Sequence, residues 1–127
     1  MKLYFAIIFI AMNSAIGLGQ SAEFLFSGKK TIKWENTDEG VLLEHYFVFS
    51  NSGNQPLLIQ DARVACPCTK VEFPKKPILP GATDSILVTF DTTDKYYYQD
   101  RIIELVSNAK KTEKLRIKVY VTPKEDQ

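Results

Sequence analysis

Three groups of side chains in this chain are of a type that could do chemistry. Cys66-Pro67-Cys68 sets two sulfurs two positions apart, His45 is the single histidine, and Tyr96-Tyr97-Tyr98 is a run of three phenols. The cysteine pair admits three readings. A local disulfide would fit an even cysteine count in an oxidising compartment. Against it, residues i and i+2 of an extended segment lie about 6.5 to 7 Å apart, at the upper edge of what a disulfide spans. In the second reading both are small apolar side chains or free thiols packed under a loop, because alternate strand residues share a face. In the third they are a working pair, a soft-metal ligand or an exchanging dithiol. Thiolates suit Cu(I) or Zn, yet a tetrahedral zinc site needs four donors and a blue-copper site two His. With Cys66, Cys68 and His45 as the whole supply, only a low-coordinate Cu(I) site or an intersubunit site survives. Pro67 fixes its own φ and biases Cys66 toward extended backbone. That geometry favours two thiols or a bridging metal over a closed ring. Lys70 is the only nearby cation that could stabilise a thiolate.

His45 falls on the same parity as Phe47 and Phe49, so it faces inward near a strand start. No nucleophile elbow or Cys–His motif accompanies it, which leaves acid–base catalysis without candidates. No catalytic residue and no cofactor is expected. The tyrosine run reads differently. Consecutive strand residues alternate faces, so at least one of Tyr96, Tyr97 and Tyr98 must meet solvent. Exposed Tyr offers an apolar ring with a wet tip, which suits a protein or glycan contact. Trp34 reads as a plug between sheets.

The elements that must hold these residues are strands. Turn clusters recur at Asn36–Gly40, Asn51–Pro56, Pro80-Gly81, Asp91–Asp94 and Asn108–Lys111. Between them apolar residues alternate: Phe47 and Phe49; Ile86, Val88 and Phe90; Ile103 and Leu105; Leu115, Ile117, Val119 and Val121. The pattern predicts strands at Ala22–Phe26, Thr31–Trp34, Leu42–Ser50, Leu57–Val64, Lys70–Phe73, Ser85–Phe90 and Gln99–Ser107, with Lys114–Thr122 as an eighth. No helical apolar stripe follows residue 19. Seven or eight antiparallel strands joined by turns predict an all-β, immunoglobulin-like β-sandwich.

Residues 1–19 read as a signal peptide rather than as part of the fold. Lys2 supplies a positive start, Leu3–Ile16 is apolar apart from Asn13 and Ser14, and small residues follow at Ala15, Gly17 and Gly19. The apolar run is shorter than the roughly 20 residues that span a bilayer. Cleavage before Gln20 leaves a domain at 20–122 and a polar tail at 123–127, secreted or periplasmic, with no membrane span. The chain has 16 basic and 15 acidic residues. That balance argues against a nucleic-acid partner.

The order of motifs suggests a family. Phe47-x-Phe49-x-Asn51-x-Gly53 leads into Pro56-Leu57-x-Ile59, then Cys66-x-Cys68-Thr69, Pro77-Ile78-x-Pro80-Gly81, Ile86-x-Val88-x-Phe90-Asp91, Ile103-x-Leu105-x-Ser107-Asn108 and Leu115-x-Ile117. This resembles DUF1573, a bacterial secreted domain of unknown function, and is similar in pattern to the ASPM–SPD-2–Hydin group of immunoglobulin-like modules. The resemblance covers roughly Ala22 to Val121. It implies the sandwich, export, and a binding or structural role with an unknown protein or glycan partner in the envelope. It implies no reaction. Three positions depart from the family pattern: Pro67 replaces a Gly between the cysteines, Lys33-Trp34-Glu35 stands for Asp-Phe-Gly, and Val119 replaces a Gly.

Overall fold

The computed structural model describes residues 19–125. The expected signal sequence, apart from Gly19, and the last two residues of the tail lie outside the described residues. Nine strands form among the described residues: β1 (Phe24–Phe26), β2 (Thr31–Lys33), β3 (Thr37–Asp38), β4 (Leu42–Asn51), β5 (Ile59–Val64), β6 (Thr69–Glu72), β7 (Thr83–Asp91), β8 (Tyr97–Ser107) and β9 (Glu113–Thr122). One sheet runs β1-β4-β7-β6 and the other β2-β9-β8-β5, with β3 also on β9. The expected strands all form, their ends shifted by a residue or two.

Two expectations need correction. Thr37-Asp38 is a short strand inside the stretch expected as a turn, pairing with Val121 and Thr122. The sandwich is also not wholly antiparallel, since β2 and β3 both run parallel to β9. A hairpin imposes the antiparallel sense only on strands adjacent in sequence. β9 lies far down the chain from β2 and β3, so that constraint is absent.

The core follows the period of two. Phe47, Phe49, Ile86, Val88 and Phe90 are buried from the first sheet. They meet Ile103, Leu105, Leu115, Ile117, Val119 and Val121 from the second. Each such side chain contributes about 1.5–3 kcal/mol when removed from water.

Asn51, at the end of β4, is a buried polar anchor. Its Oδ1 accepts from the N–H of Gly53 at 2.9 Å and of Glu23 at 3.3 Å. Its Nδ2 donates to the carbonyls of Gln55 at 2.7 Å and Ile78 at 2.9 Å. One side chain therefore ties β1, β4 and two loops. Gly53 completes the joint: a Cβ there would stand 2.1 Å from the Ser21 carbonyl oxygen.

Candidate functional site

Strand β1 covers only the last part of β4. Phe24, Leu25 and Phe26 pair with Asn51, Ser50 and Phe49, and Ser27 N–H donates to Val48 O at 2.9 Å. The chain then crosses to the other sheet, where β2 pairs with β9. From Leu42 to Phe47, no strand among the described residues lies on the outer side of β4. Alternation decides which groups face the gap. Asn51 N–H and Val41 C=O bond toward the β7 side, whereas Val48 C=O and Ser52 N–H bond toward β1. The backbone groups of Glu44 and Tyr46 therefore point at the open edge. Glu44 C=O already accepts the Trp34 indole N–H at 3.3 Å. Among the described residues Tyr46 has no strand partner there.

Both faces of this edge carry apolar side chains, with the exposed Glu44 interrupting the outward row between Leu42 and Tyr46. Outward, Leu42 is 57% exposed, Tyr46 59% and Val48 42%. Leu25 and the half-buried Leu87 extend the stripe across β1 and β7. Inward, a lateral pocket of about 300 Å³ opens between the sheets, lined by Phe26, Ile32, His45 and Phe47 among others. His45 sits on the inward parity, as expected. Its ring meets the Phe47 ring edge-on at 4.6 Å, and burial lowers its pKa below the ordinary 6.5. Trp34 closes one end of the gap as the expected plug, stacked on Phe90 at 6.5 Å. The outer face of the other sheet is different. Arg63 meets Glu104 at 3.8 Å, and Arg116 binds both carboxylate oxygens of Asp100, holding that carboxyl below its usual range. The first sheet's outer face carries polar residues too, among them Glu44, Lys70 and Glu72, but Leu42, Tyr46 and Val48 place exposed apolar side chains along its open edge.

The Cys66-Pro67-Cys68 segment corrects the extended geometry. Its Cα atoms stand 5.2 Å apart and the sulfurs are joined in a disulfide. Thr69 N–H donates to Cys66 C=O at 3.1 Å, so Pro67 occupies the second position of a four-residue turn. Proline's fixed φ suits that position. Cys66 can remain extended, as a residue before proline prefers, while the reversal occurs at Pro67 and Cys68. The extended preference that proline imposes on Cys66 does not carry over to Pro67 and Cys68. A Cu(I) site at Cys66 and Cys68 would need the reduced pair, since the closed disulfide offers no thiolate. Among the described residues no group of three or more His, Cys, Asp or Glu could hold a metal ion.

Tyr96, Tyr97 and Tyr98 are all exposed, Tyr98 by 78%. Strict alternation fails because Tyr97 has φ of 65°, in the left-handed region. Tyr97 and Tyr98 both approach the Tyr120 ring, at 6.2 and 5.0 Å. The cluster lies at the start of β8 on the second sheet, whereas the open edge belongs to β4 on the first. The structure does not join the two. Sequence reading missed Leu42, Tyr46 and Val48 as a surface. The signal was apolar residues on both parities of one strand.

No curated protein sequence matches the chain. Its fold is similar to several solved structures. One is a protein of unknown function from Porphyromonas gingivalis, at 17% identity and TM-score 0.66, covering 85% of this chain and 50% of that one. Another is the ASH / PapD-like domain 7 of human CEP192, at 12% identity and TM-score 0.55, covering 85% and 88%. A third is the Vibrio cholerae VesB protease, at 11% identity and TM-score 0.57, covering 80% and 32%. The chain thus spans half or less of the Porphyromonas and Vibrio proteins, and at these identities the likeness shows an immunoglobulin-like fold alone. Residues 25–121 match the family described as protein of unknown function, DUF1573, and the chain belongs to that family.

Proposed function

We propose that this protein is a non-catalytic binding module of the bacterial envelope that takes an extended segment of a partner protein onto the open edge of β4. The observation that carries this reading is the outer side of Leu42–Phe47, which no strand among the described residues pairs and which exposed Leu42 and Tyr46 flank. An added strand gains main-chain hydrogen bonds along Glu44–Tyr46, and pockets for alternate side chains supply selectivity. One parity of the incoming segment would meet the pocket at Ile32 and Phe47, the other the Leu42–Tyr46–Val48 stripe. The fitting partner is therefore a β-prone segment that is apolar on both parities. Export to the envelope is supported by the signal-like run ending at Gly19 and by a disulfide, which persists in oxidising compartments.

Tyr46→Pro tests the edge. Its N–H faces away from β7, so proline removes an edge donor and leaves the β4–β7 ladder intact, a place where strand proline is tolerated. Folding should persist, judged by circular dichroism and melting. Envelope proteins that co-purify with the parent and with Tyr46→Thr should be lost from Tyr46→Pro. Equal recovery of the same partners by Tyr46→Pro would sink the strand-addition reading. Intact mass of protein from a secreting host should show loss of residues 1–19; a full-length mass would contradict export by a cleaved signal.

A further inference from the structure

The cystine turn is held by more than its disulfide. The turn is already closed by Thr69 N–H on Cys66 C=O at 3.1 Å, and Asp91 N–H fixes Cys68 C=O at 2.9 Å. Thr69 then enters β6 opposite Phe90. A disulfide linking residues only two apart in sequence restricts almost none of the unfolded chain. Its loop-closure contribution is therefore small. Both cysteines are half-buried and lie beside exposed Ala65 and Pro67.

The two sulfurs are also not equivalent. Cys68 packs against the core and Cys66 does not. Cys66 Sγ accepts the N–H of Cys68 at 3.3 Å. Cys68 Sγ lies 3.9 Å from the hydroxyl of the buried Thr69. Each sulfur thus has a neutral donor at hand to receive negative charge, and such donors favour the thiolate.

We propose that the Cys66–Cys68 disulfide is a thiol-exchange site that oxidises a dithiol of another envelope protein. A thiolate of that dithiol attacks Cys66 Sγ. The S–S bond breaks, its electron pair leaves on Cys68 Sγ beside the Thr69 hydroxyl, and a mixed disulfide joins the partner to Cys66. The partner's second thiolate then attacks its own sulfur in that mixed disulfide. Cys66 leaves as a thiolate, with the Cys68 N–H as donor. Two electrons pass from the partner dithiol to the Cys66–Cys68 pair. The partner closes its disulfide, and the two protons its thiols give up end on Cys66 and Cys68. This activity is independent of the β4 edge.

The test uses the processed protein from an oxidising host, with dithiothreitol and reduced glutathione as the thiols. Native protein should be reduced without denaturant, the reduced form keeping the parent's circular dichroism and melting within a few degrees. With oxidised glutathione supplied as the disulfide, the free Cys66 thiolate of Cys68→Ser should displace a glutathione thiolate and carry a glutathione adduct by intact mass, and Cys66→Ser should form several-fold less adduct on Cys68. Thr69→Ala, checked for an unchanged fold, should slow reduction several-fold. Three results overturn the proposal: free thiols in the protein as isolated, a disulfide reduced only after unfolding, or a reduced form that loses the fold.

Discussion

Asn51 shows how much one side chain can hold. It is fully buried and makes four hydrogen bonds, two as acceptor and two as donor. Asn51→Ala leaves two carbonyls and two N–H groups without that partner, and each buried orphan costs about 1–3 kcal/mol unless water reaches it. We expect a loss of about 2–4 kcal/mol in urea unfolding. A loss below half a kcal/mol would mean that water replaces the amide. The sequence places Asn51 and Gly53 in a turn; Gly53 lies there, whereas Asn51 is the last residue of β4, and its burial has no local signature. The partners at Glu23 and Ile78 are distant in sequence, and no local pattern announces them. The same limit explains the cysteines. Proline's effect on its predecessor was legible, whereas the bond from Thr69 N–H that makes the segment a turn depends on where β6 begins.

Among the elements, β4 is the one with two unlike margins. Its β7 side is paired from Leu42 to Ser50, and its other side only at the far end. Alternating polarity made the inward residues legible, because burial of Phe47 and Phe49 imposes a period of two. The open edge was not legible, because it depends on where β1 leaves the sheet. His45 ties this edge to pH. Burial lowers its pKa, so the folded protein favours the neutral ring while the unfolded chain takes a proton near 6.5. That contribution to stability is present above the unfolded value and is lost as pH falls through the folded one. The melting temperature should therefore drop as pH falls below about 7. In His45→Phe this part of the drop should vanish. Asp91 and Asp100 cannot imitate it. The bond from Thr93 N–H to Asp91, and that from Arg116 to Asp100, lower both carboxyls, so their effects appear below about pH 4. An unchanged slope in His45→Phe would remove His45 as the cause.

At the scale of the whole molecule, the two sheets are joined by side chains and by the loops that cross between them. The disulfide spans a single turn and does not staple one sheet to the other. Cohesion therefore rests on the interleaved layer whose parity the sequence displays most plainly. Phe90 is one of its largest members. It is fully buried on β7, stacked beneath Trp34, with the Arg101 guanidinium from the opposite sheet 5.7 Å from its ring. Phe90→Ala deletes a ring that touches both sheets and leaves a cavity that the strand ladders on either side keep from closing. Such truncations cost about 3–5 kcal/mol. A domain of this size holds about 5–15 kcal/mol in all, so the melting point should fall by more than about 12 °C. Because Trp34 lies on Phe90, its fluorescence should change at the same midpoint as the β-sheet circular dichroism if the sheets part together. Ile102→Ala is the comparison: Ile102 faces solvent from β8, one residue before the buried Ile103. It should move the midpoint by no more than a few degrees. Equal shifts for the two variants would mean that the layer between the sheets is not what holds them, and separate midpoints for the two probes would mean that one sheet stands without the other.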